Sequence, residues 1–252
     1  MRTRWLRVLG TVMLVLGLLT GVWVLVVWQW KDPFTSLYTL YRQHQLSGQY
    51  HKRVEAWRRA NPSHGGSLAA VRQDVAVEAR RYRRSSRRGE AIGKIRVPRL
   101  GLDMILVNGT DEGSLEKGPG RDLRTYMPGQ GELIYIAGHR TTYLAPFSDI
   151  DALRAGDPLT LEVPYGTFRY RVTGHTIVAA DDLSRLRSHG REVVVLQACH
   201  PRFFATHRYL VYARPVSVEL PGGRVYAYGV TLGSKPASLR ASPRTASASP
   251  RS

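Results

Sequence analysis

Cys199 is the only cysteine in the 252 residues, and it stands where an apolar segment ends. The segment from Val193 to Ala198 precedes it, and His200 and Pro201 follow. This pattern predicts a buried strand that stops at the thiol. A lone cysteine cannot form a disulfide within its own chain. Free cysteines are most often small buried hydrophobes, but a thiol at a strand exit can also face a cleft and act as a nucleophile.

Two other polar residues stand at the ends of predicted strands. His139 follows the apolar segment from Leu133 to Ile136 and a glycine, Gly138, which lets another part of the chain approach closely. Arg208 opens a further apolar segment, nine residues after Cys199. Because two strands joined by so short a connection are usually neighbours in a sheet, we expect Arg208 to lie beside Cys199.

These three side chains together could carry out acyl transfer. A thiolate attacks a carbonyl carbon, an imidazole protonates the leaving amine, and a guanidinium stabilises the developing oxyanion. The intermediate would be a thioester on Cys199. Composition and spacing do not show that the three residues meet. Each therefore keeps its ordinary alternative at this point: a buried thiol, a histidine satisfied by its surroundings and a solvated arginine.

The first 30 residues predict a single membrane-spanning helix. The stretch from Val8 to Trp30 contains 23 residues and no charged side chain, which is enough to cross a bilayer. Arg2, Arg4 and Arg7 precede it, so the N-terminus is predicted to be cytoplasmic and the rest of the chain extracytoplasmic. A cleavable signal peptide is the alternative, but the apolar stretch is long for one and carries tryptophans where small residues would be expected.

Part of the net charge of +18 comes from residues 51–88, which hold eleven basic and three acidic side chains. The densest cluster consists of Arg80, Arg81, Arg83, Arg84, Arg87 and Arg88. No zinc-finger spacing and no RNA-binding aromatic motif accompanies it, so we predict no nucleic-acid partner. Outside a membrane this segment would meet anionic lipid headgroups or wall polymers; the alternative is a solvated, flexible linker.

About eight segments with strand character follow residue 91, and no long helix interrupts them. They cover residues 92–97, 102–107, 133–136, 159–163, 168–172, 176–178, 193–198 and 209–220. Closely spaced strands of this kind predict an all-β barrel or sandwich. The predicted organisation is a membrane anchor (1–30), a basic, partly helical stalk (31–90), a β domain (91–220) and a low-complexity C-terminal tail (221–252).

The ordered motifs between Ala91 and Leu220 resemble the sortases, the cysteine transpeptidases of Gram-positive cell surfaces, and most of all the class E sortases of actinobacteria. The motifs are Gly93–Pro98, Gly118–Gly120, Pro128–Gly129, Ala137–Thr142, Pro146–Phe147, Gly156–Asp157, Cys199–Pro201 and Arg208. The resemblance implies an eight-stranded sortase-type β-barrel, with His139, Cys199 and Arg208 as the catalytic residues. No cofactor and no metal ligand is predicted, and the sequence leaves calcium dependence open. The family's Thr-Leu-x-Thr-Cys motif is altered here, because Val195–Cys199 lacks both threonines.

The resemblance also implies a reaction and its partners. Cys199 would cleave the Thr–Gly bond of a C-terminal LPXTG-type sorting signal, with LAXTG favoured in class E. Arg208 would stabilise the oxyanion or hold the substrate backbone, and His139 would protonate the leaving amine. An amine of a wall precursor or of another surface protein would then resolve the thioester. The segment from Asp181 to Glu192 would help to wall the substrate groove.

Two other interpretations remain open at this point. One is a different extracytoplasmic cysteine enzyme, such as a peptidoglycan L,D-transpeptidase or a cell-wall peptidase. The other is a non-enzymatic, membrane-anchored β-barrel that binds wall polymer through its basic segment while Cys199 is buried. The order of the three residues, with histidine well before cysteine and arginine shortly after it, favours a sortase.

Overall fold

The structure, a computed structural model, describes residues 2–29, 33–61 and 67–228 of the chain. Its helices are α1 (Arg2–Gln29), α2 (Pro33–Ala60), α3 (Leu68–Ser85) and α4 (Glu112–Leu115). Its strands are β1 (Ala91–Val97), β2 (Leu102–Asn108), β3 (Gly120–Arg121), β4 (Leu133–Ala137), β5 (Pro158–Val163), β6 (Gly166–Ala179), β7 (Val193–His200), β8 (His207–Glu219) and β9 (Val225–Ala227). Short 3₁₀ helices occupy Pro98–Leu100, Ile150–Ala152 and Leu183–Leu186.

Eight of these strands close into a barrel. They follow one another in the order β6-β5-β1-β2-β3-β4-β7-β8, and β6 also pairs with β8 to complete the ring. The closing pair is antiparallel and runs from Thr167 opposite Glu219 to Ala179 opposite His207. The short strand β9 lies outside the ring on the edge of β8. The predicted eight-stranded β-barrel is therefore confirmed.

Within the ring, the individual strands differ from the prediction in two places. The segments predicted at 168–172 and 176–178 belong to one strand, β6, which is 14 residues long. Its register shifts between Val172 and Gly174, and this irregularity interrupts the polar–apolar alternation on which the prediction relied. Strand β3 was missed because it has only two residues and lies in a glycine-rich segment. Strand β3 lies between β2, with which it pairs in parallel, and β4, with which it pairs in antiparallel fashion.

The β5–β6 hairpin shows how alternation in the sequence builds the barrel core. Along both strands the apolar side chains point inward and are buried, while Arg169 and Arg171 between them point outward and are exposed. Fully burying one Val, Leu or Phe side chain stabilises the fold by about 1.5–3 kcal/mol. The buried side chains of the hairpin are Leu159, Leu161, Val163, Phe168, Tyr170 and Val172.

Helix α3 packs against the barrel instead of forming part of a separate stalk. The Ser67 hydroxyl caps its N-terminus by accepting a hydrogen bond from the Ala70 N–H. Val71, Val75, Ala79 and Tyr82 recur at helical spacing and are buried in the main core. The sequence predicted a partly helical segment here, but its clustered arginines suggested exposure to solvent and concealed the buried face.

Helix α2 is joined to the barrel by buried apolar side chains, Leu46 and Tyr50, and by several polar contacts. The Gln43 side chain pairs with the backbone of Ile105, accepting from its N–H (2.7 Å) and donating to its carbonyl (3.1 Å). The Tyr50 hydroxyl donates to the Glu162 carbonyl at 3.1 Å. Arg53 forms a salt bridge with Glu90 at 2.7 Å. The predicted stalk region is thus a pair of helices whose side chains contribute to the folded domain.

The N-terminal helix α1 is the one helix among the described residues that is long and apolar enough to cross a membrane. The candidate span covers Arg4–Val24, and none of it is buried within the protein. At the other end of the chain, β9 falls inside the segment predicted as a tail. The remainder of that predicted tail, from residue 229, lies outside the described residues.

Replacement of Tyr82 tests whether the two helices belong to the folded domain. Its hydroxyl donates to the Ile92 carbonyl (3.1 Å), and its ring contacts Trp57 with centroids 5.0 Å apart. Truncation of a buried Phe or Trp to Ala costs about 3–5 kcal/mol, and we expect Tyr82→Ala to lower the free energy of unfolding of the barrel by a similar amount. Urea unfolding followed by circular dichroism measures this.

The matched control is Val77→Ala on the same helix, because Val77 is 46% exposed. Its effect should stay within about 0.5 kcal/mol. If Tyr82→Ala were as mild as Val77→Ala, the helices would not contribute to the stability of the barrel.

Candidate active site

Cys199 and Arg208 are cross-strand neighbours. Strands β7 and β8 are antiparallel, and their register sets Cys199 directly opposite Arg208. Side chains that lie opposite each other in a sheet are on the same face. The expected adjacency of the two residues is therefore observed. Ala198, one position earlier, is buried in the core, whereas Cys199 is partly exposed.

His139 reaches the same end of the barrel along a third strand. Strand β4 runs parallel to β7 with Ala137 opposite Gln197, and the Gly138 N–H continues the pairing by donating to the Gln197 carbonyl at 3.0 Å. His139 stands two residues beyond Ala137, just as Cys199 stands two residues beyond Gln197. The parallel register therefore brings the imidazole and the thiol out at the same edge.

A glycine is required immediately before His139. A Cβ atom at Gly138 would lie 2.6 Å from the ring of Phe147, a distance that real side chains do not tolerate. Phe147 is fully buried at this point, and its N–H donates to the His139 carbonyl at 3.1 Å. The predicted role of Gly138 in close approach thus has a specific partner, the aromatic ring below the histidine.

All three predicted catalytic residues line one groove of about 280 Å³. One part of the groove is apolar and includes Leu115, Val178, Leu183 and Leu186; another is polar and includes Thr110, Asp122, Arg124 and Gln197. A cleft with both characters can bind a peptide whose side chains are apolar and whose backbone needs hydrogen bonds.

The imidazole of His139 is poorly solvated. Its Nε2 atom is buried and has no hydrogen-bond partner among the described residues. Burial lowers the pKa of His139, although the carboxylates of Glu116 and Glu112 act in the opposite direction. A lowered pKa favours the neutral ring at neutral pH, and an imidazolium formed there would release its proton readily.

The turn after His139 has an unusual backbone that α2 helps to hold. Tyr143, Leu144 and Ala145 have φ values of 52°, 62° and 40°, in the left-handed region that L-residues disfavour. The Tyr143 N–H donates to the Thr35 hydroxyl of α2 at 3.0 Å. The Tyr143 ring lies 4.9 Å from that of His139. Helix α2 therefore supports the segment that presents the imidazole.

The guanidinium of Arg208 is oriented by the connection between β7 and β8. Its Nη1 donates to the carbonyls of Ala205 (2.7 Å) and His207 (3.0 Å). Phe203 and Ala205 in this connection have positive φ values of 72° and 53°. The Nε and Nη2 atoms of Arg208 make no hydrogen bond within the described part of the chain. They are free to donate to a ligand in the groove.

Comparison with known proteins identifies the domain that carries this site. A family profile, the sortase domain, matches residues 95–216. Residues 95–216 are a sortase domain. Sortase D of Bacillus subtilis (strain 168) is 34% identical over 133 residues, which are 51% of this chain and 66% of the relative. The Streptomyces coelicolor sortase SrtE1 is 27% identical over 161 residues, which are 57% of this chain and 46% of the relative.

The chain thus spans less than two thirds of the length of these relatives. In structure it resembles a Clostridium perfringens sortase D5 transpeptidase, with a TM-score of 0.56 at 20% identity over 70% of this chain and 99% of that one; this likeness shows the shared fold. The predicted sortase domain is confirmed, while the predicted class E is supported weakly, by the more distant match to SrtE1.

Sequence reasoning missed a charged pair on the rim of the sortase groove. Asp122 is 4% exposed and accepts hydrogen bonds from the Nε and Nη2 atoms of Arg124, at 3.0 and 2.7 Å. Burial alone would raise the pKa of Asp122, but the hydrogen bonds from Arg124 hold it below its usual range. Both residues lie in the glycine-rich segment, where no periodic pattern distinguishes them.

The segment predicted to wall the groove contributes only in its first part. Asp182, Leu183 and Leu186 line the groove, and Arg185 turns back to pair with Asp182 at 3.2 Å. Arg191, further along the segment, is exposed. The apolar side chains of this wall come from the short 3₁₀ helix between β6 and β7.

Proposed function

We propose that the chain is a membrane-anchored cysteine transpeptidase that cleaves sorting signals and joins the cleaved protein to an amine. The observation that carries this proposal is the convergence of His139, Cys199 and Arg208 on one groove, although 60 residues separate the first two in the sequence. Each residue comes from the end of a different strand. A thiol, an imidazole and a guanidinium at one cleft are the groups that acyl transfer through a thioester requires.

The first half of the reaction forms the thioester. The Cys199 thiol gives its proton to His139 and attacks the carbonyl carbon of the scissile Thr–Gly bond. The oxyanion that develops accepts hydrogen bonds from the free Nε and Nη2 donors of Arg208. The C–N bond then breaks, and the His139 imidazolium protonates the leaving amine. The low affinity of this buried imidazole for protons favours that transfer.

The second half transfers the acyl group. An amine enters the groove and attacks the thioester carbon, and neutral His139 accepts its proton. A new amide bond forms as the Cys199 sulfur leaves, and the proton held by the imidazole returns the thiol to its starting state. The acceptor is an amine of a wall precursor or of another surface protein, and the substrates carry a C-terminal LAXTG- or LPXTG-type signal.

A residue that contacts the site follows soon after the helix that contains the candidate membrane span, which supports an extracytoplasmic enzyme that acts at the membrane surface. Thr35 contacts the His139 turn and is six residues from Gln29, the end of α1. An extended chain of that length spans at most about 22 Å. The arginines that precede the apolar span favour a cytoplasmic N-terminus. The proposed topology is a single pass with the barrel outside.

Substitution of Cys199 tests the proposed reaction. We expect Cys199→Ala to lose peptide transfer by at least about 10³-fold, because the bond-forming atom is absent. The measurement is transfer of a fluorescent LAXTG peptide to an amine by the full-length protein in detergent. Circular dichroism should show an unchanged barrel, since Ala fills most of the space of the thiol. Turnover by Cys199→Ala at a wild-type rate, or none by the wild type, would contradict the proposal.

Replacement of Arg208 by lysine tests its role at the oxyanion. Lysine keeps the charge but loses the planar fork that donates to the carbonyls of the turn and to a ligand at once. Loss of an oxyanion donor costs about 10²–10³ in kcat, and we expect Arg208→Lys to fall in that range. The control is Arg214→Lys, six residues further along β8. Equal activity of the two variants would make Arg208 an ordinary surface charge.

Substrate preference tests the finer assignment to class E. We propose that the wall of Val178, Leu183 and Leu186 accepts the alanine of LAXTG more readily than the proline of LPXTG. One small side chain in such a pocket is worth only about 1–3 kcal/mol, so the expected result is preference. Competition between the two peptides for one enzyme sample gives the ratio of kcat/KM. An advantage of about tenfold for LPXTG, about 1.4 kcal/mol, would remove the class E assignment and leave the sortase assignment standing.

A further inference from the structure

The residue that follows His139 carries a buried guanidinium. Arg140 is 5% exposed. Its Nη1 donates to the carbonyl of Cys199 at 3.2 Å, and its Nε donates to the carbonyl of Ser148 at 3.3 Å. Its Nη2 forms a salt bridge with Asp151 at 2.8 Å. One side chain thus joins the His139 turn, the end of β7 and the 3₁₀ helix that contains Asp151.

The planar shape of the guanidinium makes this arrangement specific. Nη1 also lies 3.1 Å from Nδ1 of His200, and the guanidinium lies over the ring of Tyr209 at 6.0 Å. Arginine presents its donors in a rigid fork and can therefore satisfy several acceptors in different directions at once, which lysine cannot do. Buried carbonyls that lose such a donor remain unsatisfied, at a cost in stability.

The imidazole of His139 depends on its backbone for position. Its Nε2 has no hydrogen-bond partner within the described residues, and its ring contacts that of Tyr143. The backbone around it is held by the Gly138 N–H, which donates to Gln197, and by the Phe147 N–H. Arg140 adds a side-chain link from the same turn to the Cys199 peptide itself. The separation of imidazole and thiol therefore depends on this link.

We propose that Arg140 is a positioning residue for transpeptidation, which fixes the His139 turn relative to Cys199 without touching the substrate. The inference rests on the proposed function. Arg140 is not among the described residues that line the groove, so its loss should leave peptide binding intact. A shift of about 1 Å between reacting groups can cost about 10²-fold in rate. The effect should therefore appear in kcat.

The chain offers a closely matched control in Arg202. This arginine also donates to the Ser148 carbonyl (2.5 Å) and pairs with Asp149 (2.8 Å). Within the described residues its hydrogen bonds go to these two partners, and none goes to Cys199 or His200. Arg202→Gln thus removes the same charge from the same neighbourhood while the link to the Cys199 carbonyl remains.

The first experiment compares transfer kinetics of the full-length proteins in detergent. We expect Arg140→Gln to lower kcat by about 10–100-fold, with KM changed by less than about threefold. Arg140→Lys should fall between this variant and the wild type, because lysine can restore one of the lost contacts. Arg202→Gln should keep kcat within about twofold of the wild type. An equal loss in Arg140→Gln and Arg202→Gln, or a loss confined to KM, would overturn the proposal.

The second experiment follows the His139 imidazole by NMR titration of the same proteins. The charged and titratable groups near it are Glu112 of α4, Glu116 directly after that helix, the Tyr143 hydroxyl, and Cys199 and Arg208 in the same groove, all unchanged in the variants. Because burial lowers the pKa of His139, a loosened turn that admits water should raise it in Arg140→Gln and not in Arg202→Gln. An unchanged titration in folded Arg140→Gln would overturn the proposal.

The two measurements separate failure of this inference from failure of the proposed function. If the wild type transfers no peptide, the proposed function fails, while the titration still reports whether Arg140 holds the His139 turn. If Arg140→Gln does not fold, both measurements are made on Arg140→Lys, which keeps the charge and loses the fork. A wild-type kcat and a wild-type titration in that variant would then overturn the proposal.

Discussion

The site depends on the pairing of three adjacent strands, β4, β7 and β8. β7 pairs in parallel with β4 and in antiparallel fashion with β8, through residues that are largely buried. Since successive side chains of a strand point to opposite faces, a slip of one residue would turn Cys199 into the core and Ala198 into the groove. The burial of Val194, Leu196 and Ala198 on one face opposes such a slip. Core packing thus determines where the thiol emerges.

Polar contacts hold together the part of the barrel that has little strand pairing. Strand β3 has two residues, and one of them, Arg121, is 1% exposed. Its Nε and Nη2 donate to Oδ1 of Asn108, and its Nη1 donates to the carbonyl of Thr125. Burial lowers the pKa of Arg121 to about 10. The hydrogen bonds of the Arg121 guanidinium therefore attach this short strand to its surroundings, as backbone hydrogen bonds do for longer strands. They also anchor the segment that carries Asp122.

The sequence was most informative where a residue with a reactive or charged side chain stands at the end of a strand. His139, Cys199 and Arg208 each stand at the end of an apolar segment, and the short connection between the last two predicted their adjacency. Strand β3 and Arg140 gave no such signal, because an arginine in a loop has the same appearance whether it is solvated or buried. The face of α3 that packs on the barrel was present as a helical repeat from Val71 to Tyr82, but the surrounding arginines dominated its composition. For the buried arginines Arg121 and Arg140, by contrast, burial arises from distant contacts and leaves no local pattern.

Three arginines near the groove have different roles because their surroundings differ. Arg140 is enclosed, and its donors are committed to carbonyls and to Asp151. Arg124 is tied to Asp122 by two hydrogen bonds. Arg208 is held through Nη1 alone, so its position is fixed while two of its nitrogens face no partner in the described chain. A donor can stabilise charge that develops during a reaction only if it is oriented beforehand and not already satisfied, and among these three arginines Arg208 meets both conditions.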